Sequence, residues 1–356
     1  MKKLKVAVIF GGQSSEHEVS LVSASGVIGA MDPEKYQIVE IGIKHDGEWL
    51  TGEGCLEKFK SANYGGLQTV AFDSRPGSAD FDIAFPVLHG PFGEDGTVQG
   101  LLEMFGIPYV GCGVLASSTA MDKLQCKAIL KAADVPVVPY VGFTRKAWKF
   151  ESEKIMEDIE ENIGLPCFVK PANMGSSVGI TKVKKVEDLK GAVDLAAEFD
   201  SRIMVEVGLN AREIECAVIG NDNVEAAPLG EIVVGGEFYD YEDKYVNGVS
   251  HTQVPADLDE DVSNQIKNLC IRAYKLLDCS GLARVDIFVD RESGKVYLNE
   301  LNTMPGFTSI SMYPKMMRAH GLKYSELIDR LIELGLGRSE EKKKNQIRFD
   351  GGEWFK

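Results

Sequence analysis

Residues 281–311 read GLARVDIFVDRESGKVYLNELNTMPGFTSIS, and the rest of the chain is best interpreted outward from them. Two strands are predicted, LARVDIFV and KVYLNEL, joined by the turn-rich DRESGK. Strand side chains alternate, so Arg284 and Asp286 share one face while Val285 and Ile287 take the other. Glu300 and Asn302, also two apart, share a face of the second strand. A hairpin in simple register brings Asp286, Glu300 and Asn302 together, with Arg284 beside them. Two carboxylates and an amide oxygen are hard donors suited to Mg²⁺ held with nucleotide phosphates. Arg284 next to them suits a developing anion. An exposed hairpin carrying ordinary solvated charges would look similar. The sequel, NTMPGFTS, favours a site: it is a Gly/Pro loop whose backbone N–H groups can meet an anion.

Composition narrows the class. With 356 residues, 44% hydrophobic and 26% charged, the chain has the make-up of a soluble globular protein of two or three domain-sized units. A net charge of -15 argues against nucleic-acid partners, although a local basic site for a nucleotide remains compatible with it. Seven cysteines, an odd number with no CxxC pair, fit reduced thiols in a cytosol better than disulfides or a zinc site. The opening MKKLKVAVIFGG superficially resembles a secretion signal, but VAVIF is too short for one and reads as a buried first strand. No apolar run approaches membrane-spanning length. A cytoplasmic location without membrane partners is expected.

Taken in order, residues 5–10 form a strand, followed by a glycine turn and a helix with Ser14 or Ser15 as candidate cap and Glu18 near its third position. The turn matches neither GxGxxG nor the GxxxxGK[ST] phosphate loop. Glu16 at the helix start has a plain role available, complementing the helix dipole. YQIVEIGI completes a βαβ unit, and residues 45–80 look like short strands and loops. FDIAFPVLHG is another strand, and its following loop carries His89 and Glu94, where open α/β sheets bind ligands. A first domain boundary is expected near 118. Beyond it, LPCFVKPA and IMVEVG are strands separated by the helix VEDLKGAVDLAAEF. Between the first of them and that helix lies NMGSSVGITKV, a Gly/Ser turn after Lys170 suited to a flap over phosphates. Residues 237–258, EFYDYEDKYVNGVSHTQVPADL, read as a long lid-like loop. SNQIKNLCIRAYKLLDCSG is an amphipathic helix ending at Gly281, KYSELIDRLIELGLG is a final helix, and the stretch from 338 is expected to fray.

These stretches together resemble the D-alanine–D-alanine ligase family of the ATP-grasp superfamily, over nearly the whole chain. The matching segments are GGQSSEHEVS, FPVLHGPFGEDG, MDK at 121–123, VKPANMGSSVGI, EFYDYEDKY, GLARVDIF and NELNTMPGFTS. The resemblance implies an α/β fold, α+β in the C-terminal half, with three domains. These would be an N-terminal open parallel-sheet domain (1–118), a central ATP-grasp subdomain (119–210) and a C-terminal one (211–340), followed by a charged tail (341–356). It implies two D-alanines, ATP and two Mg²⁺ (or Mn²⁺) ions, a homodimer, and a role in peptidoglycan precursor synthesis.

By motif match, Lys123 and Lys170 would contact the ATP phosphates, Glu206 the adenine and Glu213 the ribose. Lys244 would grip the transferred phosphoryl group, and Asp286, Glu300 and Asn302 would hold the metals. Glu16, Ser176 and Tyr245 would form a hydrogen-bonded trio closing the site, with Glu16 also meeting the first substrate's ammonium. Arg284 and the Gly306 N–H would stabilise the tetrahedral oxyanion; His89 would lie near the first substrate. Ser311 would receive the second carboxylate and residue 312 would border it. Three positions depart from the family pattern: Ala211 stands where glycine is usual, Ile310 where His is common, and Met312 where Leu is common. The nearest rivals are the D-alanine–D-serine and D-alanine–D-lactate ligases, the latter disfavoured by the tyrosine-bearing lid. More distant ones are another carboxylate–amine ligase, a non-catalytic nucleotide-binding regulator, and an NAD-dependent oxidoreductase, which the missing GxGxxG makes improbable.

Overall fold

The computed structural model describes residues 2–70, 80–233, 251–308 and 310–346, and among these the strands form three sheets. The first is built from β1 (Leu4–Gly11), α1 (His17–Ala30), β2 (Tyr36–Ile43), β3 (Trp49–Thr51), α2 (Cys55–Lys60), β4 (Gln68–Thr69) and β5 (Ile83–Pro86). Helices α3 (Thr97–Met104) and α4 (Val114–Met121) follow. Strand order is β4-β3-β2-β1-β5, with β1 parallel to both β2 and β5, and with β3 and β4 added antiparallel at the β2 side. The expected open parallel sheet is therefore the three strands β2, β1 and β5 at one end of it. Val6–Phe10 is fully buried because both faces of β1 are covered, which is why VAVIF is continuous rather than alternating. The chain leaves β1 to one side and returns as β5 on the other, so the loops after these two strands flank a topological switch point.

The second sheet comprises α5 (Lys123–Ala132), β6 (Tyr140–Thr144), α6 (Arg145–Asn162), β7 (Cys167–Pro171), β8 (Thr181–Val183), α7 (Val186–Phe199) and β9 (Arg202–Val207). Its order is β6-β9-β7-β8, all antiparallel, with α6 and α7 packed on its apolar side. The third sheet contains β10 (Ala211–Gly220), β11 (Glu225–Ala226), β12 (Gly230–Val233), β13 (His251–Gln253), β14 (Gly281–Asp290) and β15 (Val296–Asn302). It also carries α8 (Glu260–Leu276), α9 (Met312–Ala319) and α10 (Tyr324–Lys342). Here β10 lies between β12 and β14, and β14 pairs with β15.

Several local expectations change. Helix α1 starts at His17 with Glu16 at the cap position and no side-chain cap; Ser14 Oγ instead accepts from the Glu16 N–H at 3.1 Å. Residue 118, where a first boundary is expected, lies within α4. Helix α8 ends at Leu276, and Gly281, at φ 74°, opens β14. Residues 338–342 continue α10 rather than fraying, because Arg338 stacks on the Tyr109 ring at 4.0 Å and donates to the Tyr109 carbonyl. Helix α6 went unread because its apolar stripe is thin: only Trp148, Ile155 and Ile159 are buried along it.

The C-terminal helices tie the two ends of the chain together. Tyr313, Met316, Leu327, Ile328 and Leu331 join Val6, Val8 and Phe10 of β1 in one hydrophobic cluster. At its edge Tyr36 donates to Asp329 at 2.7 Å. Leu331 is fully buried in this seam. Leu331→Ala is expected to lower unfolding stability by about 2–5 kcal/mol, through lost burial plus a residual cavity; denaturant unfolding measures it.

Candidate active site

The face of the third sheet toward the second is polar, and strand register puts it in rows. Glu215 on β10 lies opposite Asp286 on β14, which lies opposite Glu300 on β15. The next row along is Ala217, Arg284 and Asn302. A β-bulge between Asp286 and Ile287 adds one residue to β15. Asn299 and Glu300 are thereby both turned to the cavity, while Leu298 and Leu301 go back to the core. The hairpin expected from the sequence is present, with this extra residue.

Carboxylates directly opposite one another repel, and nearby cations offset this. Arg284 forks onto Asp286 through Nε at 2.7 Å and Nη2 at 2.6 Å, and its Nε is 3.2 Å from Glu215 Oε2. Burial alone would lower the Arg284 pKa, but the Asp286 and Glu215 charges hold it well above the ordinary value. Asn302 Nδ2 donates to Asp286 at 3.0 Å, and Lys123 Nζ lies 3.4 Å from Glu300.

A cavity of about 260 Å³ opens above this face and is lined from all three sheets. The first sheet contributes the switch-point loops. His89 is buried with Nδ1 3.0 Å from the Met304 carbonyl and Nε2 3.1 Å from Ser23 Oγ. Glu94 accepts from the Gly90 N–H at 3.0 Å. Burial, reinforced by the Glu16 charge, pushes Glu94 up to about 8, and burial pushes His89 below its ordinary value. Glu16, 9% exposed, accepts a hydrogen bond from Ser176 Oγ of the β7–β8 turn, 160 residues away. Two glycines make room for it. A Cβ on Gly90 (φ 76°) would stand 2.8 Å from Ser14 Oγ and 3.0 Å from Glu16 Oε2, and one on Gly175 would stand 3.0 Å from the same oxygen.

The second sheet supplies the flap and lysines. Ser176 and Ser177 sit at φ 50° and 60°, a conformation disfavoured for residues with a Cβ. The flap base is anchored by Asn173, which bonds Asp122 and Asp200, and by Lys123 Nζ donating to the Met174 carbonyl at 2.7 Å. Lys170 lines the cavity and binds Glu206 Oε1; Lys127 Nζ lies 3.0 Å from Oε2 of the same carboxylate. Burial would raise Glu206, but Lys127 and Lys170 bring it down to about 2. Glu206 itself is enclosed behind the lining, whereas Glu213, expected beside it in function, faces the cavity.

The loop after β15 lines a further side. Thr308 N–H donates to Ser311 Oγ at 3.0 Å, and a Cβ on Gly306 would stand 2.8 Å from that oxygen. Met312 lines the floor while its methyl packs where a Gly230 side chain would be. Lys244 and Tyr245 lie outside the described residues. Two neighbours of the site escaped the sequence reading, Glu215 and Lys127. Spacing could have found both: Glu215 is two along β10 from Glu213, and Lys127 is one helical turn from Lys123.

Two antiparallel sheets closing on a carboxylate-lined cleft, with a flap turn above paired lysines, define an ATP-grasp protein. Family models for the D-ala D-ala ligase N-terminus and C-terminus match residues 5–112 and 129–333. A D-alanine–D-alanine ligase of Acetivibrio thermocellus is 46% identical, over 96% of this chain and 98% of its own length. One from Thermoanaerobacter sp. (strain X514) is 48% identical, over 96% and 99%. Among solved structures, the VanG D-Ala:D-Ser ligase of Enterococcus faecalis superimposes with TM-score 0.84 at 39% identity, covering 94% of this chain and 100% of that one. The D-alanine-D-alanine ligase of Coxiella burnetii gives 0.84 at 37% identity, covering 97% of each. The chain belongs to the D-alanine–D-alanine ligase family.

Two outcomes test this geometry. Gly90→Ala forces Glu16 and Ser14 aside at a left-handed backbone position, and about a tenfold or larger loss of kcat is expected in steady-state assays. Glu94 keeps its proton in the folded protein up to about pH 8, whereas its ordinary value is 4.5. The stability this provides is complete below the ordinary value and is lost as pH rises through about 8. Wild type minus Glu94→Gln stability should therefore fall across that window in thermal melts; a pH-independent difference would contradict a protonated Glu94.

Proposed function

We propose that the chain joins two D-alanine molecules into D-alanyl-D-alanine, as its relatives are named for doing, and that it converts ATP to ADP and phosphate in the course of it. The observation that carries this is the Ser176–Glu16 hydrogen bond. It joins the flap beside Lys123 and Lys170 to the loop of a separate sheet across one cavity, which in this reading takes nucleotide and small substrate together. A hydrolysable intermediate needs exclusion of water.

In this reading the carboxylate of the first D-alanine attacks the γ-phosphorus, the P–O bond to ADP breaks, and an acyl phosphate forms. Lys123 and Lys170 orient and neutralise the phosphates, and Glu213 on β10 takes the ribose. Lys244 is assigned to the transferred group and Tyr245 to the closing trio by motif match alone. Glu16 pairs with the first substrate's ammonium, beside neutral His89 and protonated Glu94, so a cation there meets one carboxylate rather than two. The free amine of the second D-alanine then attacks the acyl carbon. Arg284 and the Gly306 N–H stabilise the oxyanion, which collapses as the C–O bond to phosphate breaks. Ser311 receives the second carboxylate, and Met312 shapes the pocket around its methyl group. Volume is conserved between Met and the Leu common there, which favours D-alanine as second substrate.

Asp286, Glu300 and Asn302 fit divalent cations by donor chemistry, being hard oxygen donors in adjacent rows of one face. Among the described residues no three His, Cys, Asp or Glu side chains already stand in metal-holding geometry, so this assignment rests on a carboxylate pair plus an amide. Bound there, Mg²⁺ would neutralise phosphate charge as a Lewis acid. Glu206 is assigned to the adenine edge by motif match alone; in this structure its carboxylate stands behind the cavity lining, held by Lys127 and Lys170. Residues 1–118, 119–210 and 211–340 are taken as the three domains, with α4 spanning the first junction, and the protein as a homodimer in the cytoplasm. No helix among the described residues is long and apolar enough to cross a membrane.

The test is a competition: enzyme, ATP and Mg²⁺ with D-alanine alone, then with equimolar D-serine or D-lactate, products identified by mass. D-alanyl-D-alanine should dominate. A mixed product, the activity named for the Enterococcus faecalis neighbour, would keep the mechanism and reassign the pocket at Met312. No ADP with any of them would refute the substrate assignment. Arg284→Ala should abolish dipeptide formation while ATP affinity changes little; lost nucleotide binding would show that Arg284 acts in the first half of the cavity.

A further inference from the structure

Lys127 has no part in the chemistry above, yet it is fully enclosed at 0% exposure. A cation is buried this deeply only at considerable desolvation cost, so its partner is informative. That partner is Glu206, 1% exposed, which also binds Lys170. Three elements meet there: α5 carries Lys127, β7 carries Lys170 and β9 carries Glu206. Of the three side chains only Lys170 lines the cavity.

The charge count is uneven, two ammonium groups to one carboxylate. With Lys170 and Glu206 alone, a buried one-to-one pair would satisfy itself and hold Lys170 back from the cavity. Moving Lys170 to a phosphate would then strand a buried carboxylate beside a polyanion, which is strongly unfavourable. Lys127 removes that obstacle, because Glu206 keeps a partner whichever way Lys170 turns. Its contact is an ion pair rather than a directed hydrogen bond: Lys127 Nζ and Glu206 Oε2 have no hydrogen-bond partner of good geometry.

The geometry points to Lys127 as a positioning residue: by neutralising Glu206 from behind, it frees Lys170 to face a polyphosphate. This rests on the assignment of Lys170 to the ATP phosphates. Lys127 is one helical turn beyond Lys123, so a single helix supplies one lysine to the cavity and one to its supporting carboxylate.

The experiment measures equilibrium binding of a non-hydrolysable ATP analogue, with KM for ATP and D-alanine, in Lys127→Met, Glu206→Gln, the double variant and Lys170→Met. Lys127→Met should weaken the analogue about tenfold while the D-alanine KM stays within about twofold. Adding Glu206→Gln should restore affinity to about that of Glu206→Gln alone, because the carboxylate that traps Lys170 is gone. A purely structural Lys127 would lower thermal stability without this nucleotide-specific loss, which would overturn the inference. So would a double variant much weaker than Glu206→Gln, since Lys127 would then act on the nucleotide directly. If Lys127→Met does not fold, the comparison of Glu206→Gln with the double variant decides alone. An unchanged affinity in Lys170→Met would instead refute the assignment of Lys170 on which the inference stands.

Discussion

Three carboxylates, Glu215, Asp286 and Glu300, stand directly opposite one another on adjacent strands, an arrangement that costs free energy wherever it is left uncompensated. Much of the surrounding architecture can be understood as the compensation. Arg284 comes from the same strand as Asp286 and spans two of the three charges. Lys123 approaches the third from α5, a helix whose Cys126 and Leu130 share the core cluster of the third sheet. The alternation that exposes this row also seals the opposite face, where Cys216, Val285, Ile287 and Leu301 are buried against α8. A slip of one residue in β14 would turn charges into the core and apolar groups into the cavity, so hydrophobic pattern and site geometry fix one register.

Much of this was legible in the sequence where one strand's alternation carried the information. Asp286, Arg284, Glu300 and Asn302 could be placed on one face from spacing alone, and the fold class followed from motif order. The Asn299 bulge could not be seen, because a bulge is a property of two strands' pairing and NELN reads as ordinary alternation. Helix α6 was hidden by a polar sequence whose few buried residues matter only once the second sheet lies against them. Long-range tertiary contacts were the other gap. Nothing local to GRSEEK says that Arg338 will meet the Tyr109 ring, so the end of α10 looked like a tail. Glu206 was placed by motif match alone, and its pairing with a helix lysine 79 residues earlier in the chain is another contact no local pattern carries.

The glycines near Glu16 show why such a site tolerates little variation. Gly90 and Gly175 come from different sheets, and each leaves room for the same carboxylate oxygen. Their contribution is space rather than flexibility: a methyl on either would lie at the tight limit of contact with Glu16 Oε2. The strained Ser176 backbone belongs to the same device, since the φ of 50° accompanies a hydroxyl delivered to Glu16. Closure is therefore written in backbone geometry as much as in side chains.

Lys123, Lys170 and Arg284, the cavity cations found among the described residues, all have protein partners already: Met174 and Glu300, Glu206, and Asp286 with Glu215. In a protein of net charge -15, a cluster of bare cations would be the exception, and burying them unpaired would be costly. An incoming polyanion consequently exchanges partners with these groups instead of meeting free charge. Such an exchange is favourable only if the carboxylate left behind is satisfied in turn. In the proposed function, divalent cations arriving with the nucleotide would meet that need at Asp286 and Glu300, which line the cavity. Glu206 has no such recourse, since it is closed off from the cavity, and its second partner has to be part of the protein. A carboxylate row facing the cleft can take its compensation from incoming ions, whereas a carboxylate enclosed behind the lining needs a lysine of the protein itself, and burial sets that difference.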